Sequence, residues 1–208
     1  MKIDPQRKAI ALAPDQIEQA VDVLSRAFLN DPLNVYMLPD ERDRRRLCPT
    51  QFAAFVRYGL LAGRVLTTEE VLEGVAVWFP PGRVEMQPDL MDQAGINELP
   101  SILGAEAFGR FMGFLEYLEP LHNRDVQPQH WYLLVIGVEP QRQSSGIGST
   151  LLRSVLAQAD AERVPCYLET TQPTNVPFYR KHGFEIVVED AEPTSGLRFW
   201  TFRRDPRT

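Results

Sequence analysis

Cysteine, long apolar runs and an excess of basic charge are what this chain of 208 residues lacks. The two cysteines, Cys48 and Cys166, stand in no close Cys/His cluster. A disulfide scaffold and a finger-type zinc site are therefore excluded, no metal is expected, and both thiols are read as reduced. No run reaches the roughly 18 apolar residues of a membrane helix, and Met1 to Ala13 carries no apolar signal-peptide core. No membrane association is expected, and the expected compartment is the cytoplasm. Lys and Arg total 22 against 28 Asp and Glu, a net charge of −6, which argues against a nucleic-acid partner held by a broadly basic surface. What is present is ordinary for a soluble fold, 44% hydrophobic and 24% charged residues. At about 150 residues per domain the length favours a single domain over 1–208. Proline is the one surplus, 17 residues spaced along the chain like punctuation between elements.

Periodicity divides the chain into a helical first half and a more regular second half. Ile17, Ala20, Val21, Leu24 and Phe28 recur at helical spacing within Pro14 to Leu29, and Asn30-Asp31-Pro32 stops that helix. Asp40 can cap a second helix, which Pro49 is expected to interrupt, with its arginine run from Arg42 to Arg46 read as a solvated face. The period then changes to two, giving strands at Val65 to Thr68 and Val75 to Phe79. Val84 to Pro100 is poorly periodic and reads as a loop or insertion near a binding site, and Glu106 to His122 returns to helix. Trp131 to Val138 is apolar on both faces and hence a central strand. Gly146 to Glu162 fits an amphipathic helix, Cys166 to Thr171 a strand, Asn175 to His182 a short helix, and Phe184 to Val188 and Leu197 to Arg203 two closing strands. Strand, helix, strand in the middle implies a parallel pair with a right-handed crossover inside a mixed α/β sheet.

The chemistry concentrates where the central strand meets its helix, at Val138-Glu139-Pro140-Gln141-Arg142-Gln143-Ser144-Ser145-Gly146-Ile147-Gly148. Consecutive N–H groups leave such a turn in the direction of the helix dipole, and glycines let the backbone approach a pyrophosphate closely. The segment lacks the Gly-Lys-Ser/Thr of a Walker loop and the three glycines of a dinucleotide fingerprint.

Gln143-Ser144-Ser145-Gly146-Ile147-Gly148 resembles the Q/R-x-x-G-x-G/A signature of the GCN5-related N-acetyltransferases, the GNAT superfamily. Asn175 followed by Phe178-Tyr179-Arg180-Lys181-His182-Gly183-Phe184 is similar to that family's second block, about 30 residues on with one strand between. The resemblance runs from Trp131 to Phe184, is diffuse from Pro14 to Pro120, and within the family points toward puromycin N-acetyltransferase and its bacterial relatives. It implies a mostly antiparallel sheet whose central parallel pair is splayed around acetyl-CoA, with helices on both faces. Acceptor-side elements would lie mainly in 14–122 and the acetyl-CoA core in 130–204.

The same resemblance implies which residues bind. Gln143, Ser144, Ser145, Gly146, Ile147, Gly148 and Ser149 would hold the pyrophosphate, and Ile136, Gly137 and Val138 would run beside the pantetheine arm. The Val138 N–H would polarise the acetyl carbonyl. Asn175 and Phe178 would contact the cofactor, and Tyr179 would face the sulfur. The partner expected is a small-molecule amine, with the protein acting as a monomer or homodimer. A protein or peptide amine and a non-catalytic acyl-CoA-binding module are the competing readings.

The reaction needs a base and an acid. An alkyl ammonium with a pKa near 10.4 leaves about one molecule in 2,500 as free base at pH 7. Proton donation from a phenol near 10 to a thiolate near 8.5 is uphill by about 2 kcal/mol. The family often carries a glutamate in the strand before the turn, yet Trp131 to Val138 has no acid. Glu169 in the next strand is therefore the preferred base, directly or through water, although a strand carboxylate satisfied by backbone donors is an equal alternative. His130 ranks after it, Glu139 is read as structural, and His122 and His182 have no motif support. Phe28, Asp31, Tyr36, Trp78 and Tyr117 are candidate acceptor walls, each with a packing role also open to it. Aromatic walls with few acids suit a flat or hydrophobic amine.

Overall fold

The computed structural model describes residues 8–207. Seven strands form one sheet in the order β1-β2-β3-β4-β5-β7-β6. They are β1 (Ala9–Ala11), β2 (Arg64–Thr68), β3 (Gly74–Phe79), β4 (Trp131–Val138), β5 (Cys166–Thr170), β6 (Glu185–Ala191) and β7 (Arg198–Arg204). Every neighbouring pair is antiparallel except β4 and β5, which are parallel. The expected mixed sheet with a central parallel pair is thus observed, and strands from both halves of the chain share it.

Helices cover both faces. On one side lie α1 (Ile17–Ala27), α2 (Pro32–Met37), α3 (Glu41–Ala62), α4 (Pro88–Ala94), α5 (Leu99–Leu103) and α6 (Ala105–Asp125), over a core that includes Val75, Val77, Phe79 and Val135. On the other, α7 (Ile147–Glu162) and α8 (Val176–Lys181) pack on Ala76, Trp78, Leu133 and Leu168. The expected α7 stripe of Ile147, Leu151, Leu152, Val155 and Ala159 is buried. β4 carries a bulge, since Val77 pairs with Val135 while Trp78 pairs with Leu133, leaving Leu134 as the extra residue. It resets the strand's alternation: Leu134 and Val135 both face the α1–α6 core, and Ile136 and Val138 return to the α7 side.

Tertiary packing overrides several local signals. α3 runs unbroken from Glu41 to Ala62 through Pro49. An interior proline costs about 3 kcal/mol. Burial of Leu47, Phe52 and Val56, at about 1.5–3 kcal/mol per side chain, outweighs it. Val84 to Pro100, expected as a loop or insertion near a binding site, lines none of the cleft described below and instead holds α4 and the start of α5, which pack against α3 and α6. Their prolines, Pro88 and Pro100, sit in the first turns, where no intrahelical N–H is needed. β1 falls in a segment for which no element was expected. Arg44 departs from the solvated face foreseen for the arginine run. It is buried and donates to the carbonyls of Leu29 at 2.8 Å, Leu38 at 2.7 Å and Pro39 at 2.7 Å, tying α3 to the α1–α2 connection. Arg45 and Arg46 make only surface pairs, with Glu41 and Asp43.

A bidentate pair anchors α7 to the end of the sheet. Arg204 Nη1 and Nη2 donate to Asp160 Oδ1 and Oδ2, both at 2.7 Å, and the Arg207 N–H adds a third bond at 2.7 Å. The Arg204 hydrogen bonds are the main influence holding the Asp160 carboxyl below its ordinary pKa, against a smaller desolvation effect. The folded pKa is below the unfolded one, so this stabilisation is present above about pH 4 and is lost as pH falls through the folded pKa. Because Arg204 is only 4% exposed, Asp160→Asn is expected to lower stability by about 3 kcal/mol in urea titrations at pH 7. The loss should shrink in titrations near pH 3.

Candidate active site

β4 and β5 are bonded at two positions only, Trp131 with Cys166 and Tyr132 with Tyr167. Beyond them the strands part, and a cleft of about 650 Å³ opens against the α7 turn and α8. The Glu139 N–H donates to Glu73 O on the β3 side at 2.8 Å. Successive amides in a strand alternate, so the N–H groups of Val138 and Ile136 point the opposite way, into the gap. Ile136, Gly137 and Val138 all line the cleft. Gly137 is where α1 closes on β4: an added Cβ would lie 2.8 Å from Leu24 Cδ2 and 3.2 Å from Phe28 Cε2.

Gln143, Ser144, Ser145, Gly146, Ile147, Gly148 and Ser149 form one wall of the cleft. The turn uses left-handed backbone at Ser144, φ 60°, and Gly146, φ 94°. The first intrahelical donor is the Thr150 N–H, bonded to Gly146 O at 3.0 Å. The N–H groups of Ile147, Gly148 and Ser149 thus precede the helical ladder at the positive end of a 16-residue helix. Gly148 gives the turn room, for a Cβ there would lie 3.1 Å from the Phe178 ring. These features fit a pyrophosphate. Ser149 Oγ lies 2.9 Å from His182 Nε2. Burial, followed by the charges of Lys181, Arg153, Arg204 and Arg207, lowers the His182 imidazole to about 4.

Of the cations near the turn, Arg142 is held by Glu73 at 2.8 Å, and Arg180 lines a separate hollow with Gly183 and Arg207. Arg142 nevertheless lines the cleft, and so does Lys181. Sequence reasoning passed over it, although its position three residues after Phe178 places both on one helix face. Glu139 pairs with Arg26 of α1 at 2.9 Å, in keeping with its structural reading.

Asn175, Phe178 and Tyr179 supply the opposite wall. Asn175 Nδ2 donates to Thr170 Oγ1 at 3.4 Å. Tyr179 is buried among the rings of Phe178, Phe184 and Phe202. Burial and then the Asp31 carboxylate push its phenol above the ordinary value of 10. It is therefore neutral near pH 7 and can act only as a donor or acceptor of hydrogen bonds.

Two acids stand near the other side of the gap, and only Asp31 of the two lines the cleft. Asp31 lines the cleft, caps α2 by accepting the Leu33 N–H at 3.0 Å, and accepts from Thr171 Oγ1 at 3.2 Å. Burial raises its carboxyl, opposed by these bonds. Glu169 stands two positions beyond the last β4–β5 pair, on the face away from α7. Its Oε1 lies 3.2 Å from His122 Nδ1, and His122 Nε2 lies 2.9 Å from His130 Nε2. His122, for which the sequence offered no motif, is thus joined to both expected base candidates.

The acceptor walls divide. Phe28 and Asp31 line the cleft, whereas Trp78, Tyr36 and Tyr117 do not. Trp78 is fully buried on the α7 face because it shares the parity of Ala76, so it is core and not a wall. Tyr36 is half-buried on α2, and Tyr117 of α6 packs edge-on against Phe199 of β7 at 5.9 Å.

A sheet split at its parallel pair, with a phosphate-type turn and a buried phenol on one side, defines the acetyltransferase class. The chain belongs to the Acetyltransferase (GNAT) family, whose model matches residues 68–184. It is an acyltransferase, and the family uses acetyl-CoA. The chain is 27% identical over 175 residues to an uncharacterized N-acetyltransferase of Schizosaccharomyces pombe, spanning 80% of this chain and 70% of the relative. Among solved structures it is similar to a histone acetyltransferase HPA2 and related acetyltransferase from Corynebacterium glutamicum, with TM-score 0.68, 20% identity and 97% of each chain covered. It is also similar to an agmatine N-acetyltransferase variant in its apo form, with TM-score 0.61, 13% identity, and 96% of this chain and 99% of that chain covered. Among the described residues no helix is long and apolar enough to cross a membrane, and no group of three or more His, Cys, Asp or Glu side chains could hold a metal ion.

The turn geometry can be tested at Gly146. An alanine in left-handed backbone costs about 1–2 kcal/mol, so Gly146→Ala should strain the N–H array out of its aim. Gly95, with φ 82° at the end of α4, serves as control. Both alanine variants should lose stability, but only Gly146→Ala should weaken CoA binding, by about tenfold in calorimetry.

Proposed function

We propose that the protein is an acetyl-CoA-dependent N-acetyltransferase that acts on the primary amine of a small molecule by direct attack in a ternary complex. The observation that carries this reading is the β4–β5 splay, with Asp31 and Tyr179 lining the cleft that opens there and Glu169 two positions beyond the last pair. Acetyl-CoA supplies an acetyl group activated as a thioester. The amides from Gln143 to Ser149 bind its pyrophosphate, helped by Lys181. Asn175 and Phe178 hold the arm, and the Val138 N–H donates to the acetyl carbonyl. Glu169 takes the proton of the ammonium, and Asp31 orients that ammonium beside Phe28. Tyr179 serves the leaving sulfur. With its phenol raised above 10, full transfer to a thiolate near 8.5 is uphill by more than about 2 kcal/mol, so its part is a hydrogen bond that strengthens as the C–S bond breaks.

Neither cysteine is placed to carry a covalent acyl group. Burial pushes the thiols of Cys48 and Cys166 up to about 11 and about 12, and both side chains are buried away from the cleft. The two carboxylates modify the acceptor expected from composition: a cationic amine with an apolar or planar body suits Asp31 and Phe28 better than an uncharged ring. One observation favours a second reading. Residues 84–103 pack on α3 and α6 and contribute nothing to the cleft wall, which leaves the acceptor side open to a peptide amine.

Thiol release from acetyl-CoA across arylalkylamines, aminonucleosides, guanidino-amines, aminoglycosides and short peptides separates these readings. We expect the highest kcat/KM with a small primary amine. Tyr179→Phe should lower kcat by about 100-fold and leave the KM for acetyl-CoA within about twofold. Higher kcat/KM with peptides would select the second reading. CoA binding without turnover of any amine would reduce the protein to an acyl-CoA-binding module.

A further inference from the structure

We propose that His122 is the residue to which Glu169 hands the amine's proton, and that His130 sets the tautomer that lets His122 receive it. The inference rests on the acetyltransferase reading above and adds to it a base made of a carboxylate and an imidazole.

The argument follows from counting donors. His130 Nδ1 lies 2.6 Å from the carbonyl oxygen of Gln127, which can only accept, so Nδ1 of His130 carries a hydrogen. Burial, with His122 adding to it, lowers the His130 imidazole to about 4 against the opposing Gln127 bond, so near pH 7 the ring is neutral and its Nε2 is bare. That bare nitrogen faces His122 Nε2 at 2.9 Å, so His122 must donate there. The remaining nitrogen of His122, Nδ1, then has no hydrogen unless the ring is charged. It faces Glu169 Oε1 at 3.2 Å. Between a bare nitrogen and a carboxylate oxygen a hydrogen bond needs one added proton, and the contact attracts it. The His122–Glu169 contact is therefore a place for one proton, a sink that the backbone carbonyl of Gln127 has set from two rings away.

Packing keeps the arrangement in place. The His122 ring lies between Tyr132 and Tyr167, with centroids 4.8 and 4.4 Å away, so it cannot turn over without unpacking both. Burial and then Glu169, which shares a hydrogen bond with it, raise the Tyr132 hydroxyl well above its ordinary value. The Tyr167 phenol is raised mainly by burial and then by Glu169. Asp125, at the end of α6, pairs with Arg124 at 2.6 Å, and its carbonyl accepts from Arg203 Nη1 at 3.2 Å. Among the described residues, none of these groups hydrogen-bonds either imidazole.

The proton balance is simple. The ammonium gives one proton to Glu169, which passes it to His122 Nδ1 and returns to carboxylate beside an imidazolium. The freed lone pair forms the C–N bond, the C–S bond breaks, and sulfur leaves with its electron pair. The amine's second proton ends on that sulfur. His122 releases the first to solvent after turnover.

Nitrogen-15 NMR of histidine-labelled protein tests the tautomers without any substrate. In the neutral state His122 should be protonated at Nε2 and His130 at Nδ1. In His130→Phe, His122 should switch to the Nδ1–H form, because Glu169 is then its better acceptor. Kinetics test the role. His122→Gln, which keeps a polar side chain between the two tyrosines, should lower kcat at least tenfold, move the acid limb of kcat/KM to lower pH, and leave the KM for acetyl-CoA within about twofold. His130→Phe should also lower kcat. A wild-type His122 protonated at Nδ1 when neutral, or a His122→Gln enzyme with unchanged kcat and pH profile, would overturn the proposal. If the tautomers are as stated and no amine is turned over, the acetyltransferase reading fails and the proton-sink geometry stands.

Discussion

A parallel strand pair that stops bonding soon after it starts leaves main-chain N–H and C=O groups facing an open gap. Buried backbone groups without partners are costly, so a fold keeps such a gap only where something else satisfies them. In this protein the pairing of β4 with β5 ends at Tyr132 and Tyr167, and neighbouring features maintain the separation. The bulge at Leu134 turns β4 between its paired and unpaired halves. α1 presses on β4 at Gly137, where no side chain fits. After β5 the chain turns through Pro173 into α8, carrying Asn175 and Tyr179 to the far wall. The arm of an acyl-CoA is an extended chain of amides, a suitable partner for the N–H groups of Ile136 and Val138.

The bulge has a second effect. By placing Leu134 and Val135 on the same face, it returns Ile136 and Val138 to the α7 side, next to the phosphate turn. Without it the strand would offer opposite parity at its end, and the turn would begin from the wrong face of the sheet. In the function proposed above, the two sides of the sheet would then divide the work. α7 and α8 provide the anion cradle and the phenol, while α1, α2 and α6 provide Asp31 and the imidazole that meets Glu169.

Local sequence made some of this legible and hid the rest for physical reasons. The glycine turn, the α7 stripe and the central strand are encoded within short windows, because they depend on backbone conformation and periodicity. Pro49 misled because burial along a 22-residue helix outweighs one missing hydrogen bond. The stretch from Val84 to Pro100 misled because short helices carry too few residues to show a period. Trp78 looked like a wall because an aromatic in a strand is equally suited to either face, and only register decides which. His122 and Lys181 were hidden differently. A histidine at the end of a helix has no local signature; its meaning comes from Glu169, which is 47 positions further along the chain and reaches it only through the sheet.

Net charge describes none of this. The chain is acidic by −6, yet the cleft is polarised in the opposite sense on its cofactor side. There the α7 N–H groups and Lys181 face inward, with Arg153, Arg204 and Arg207 close behind His182. Asp31 lines the other side of the cleft, and Glu169 stands near it beside His122, Tyr132 and Tyr167. In the function proposed above, such a field would draw an anionic cofactor and a cationic amine to different parts of the cleft. The base proposed above stands on β5, since β4 carries no acid. It lies two positions beyond the last β4–β5 pair, where the strands have begun to part. There, Glu169 has what a β4 glutamate would lack, an imidazole in direct contact.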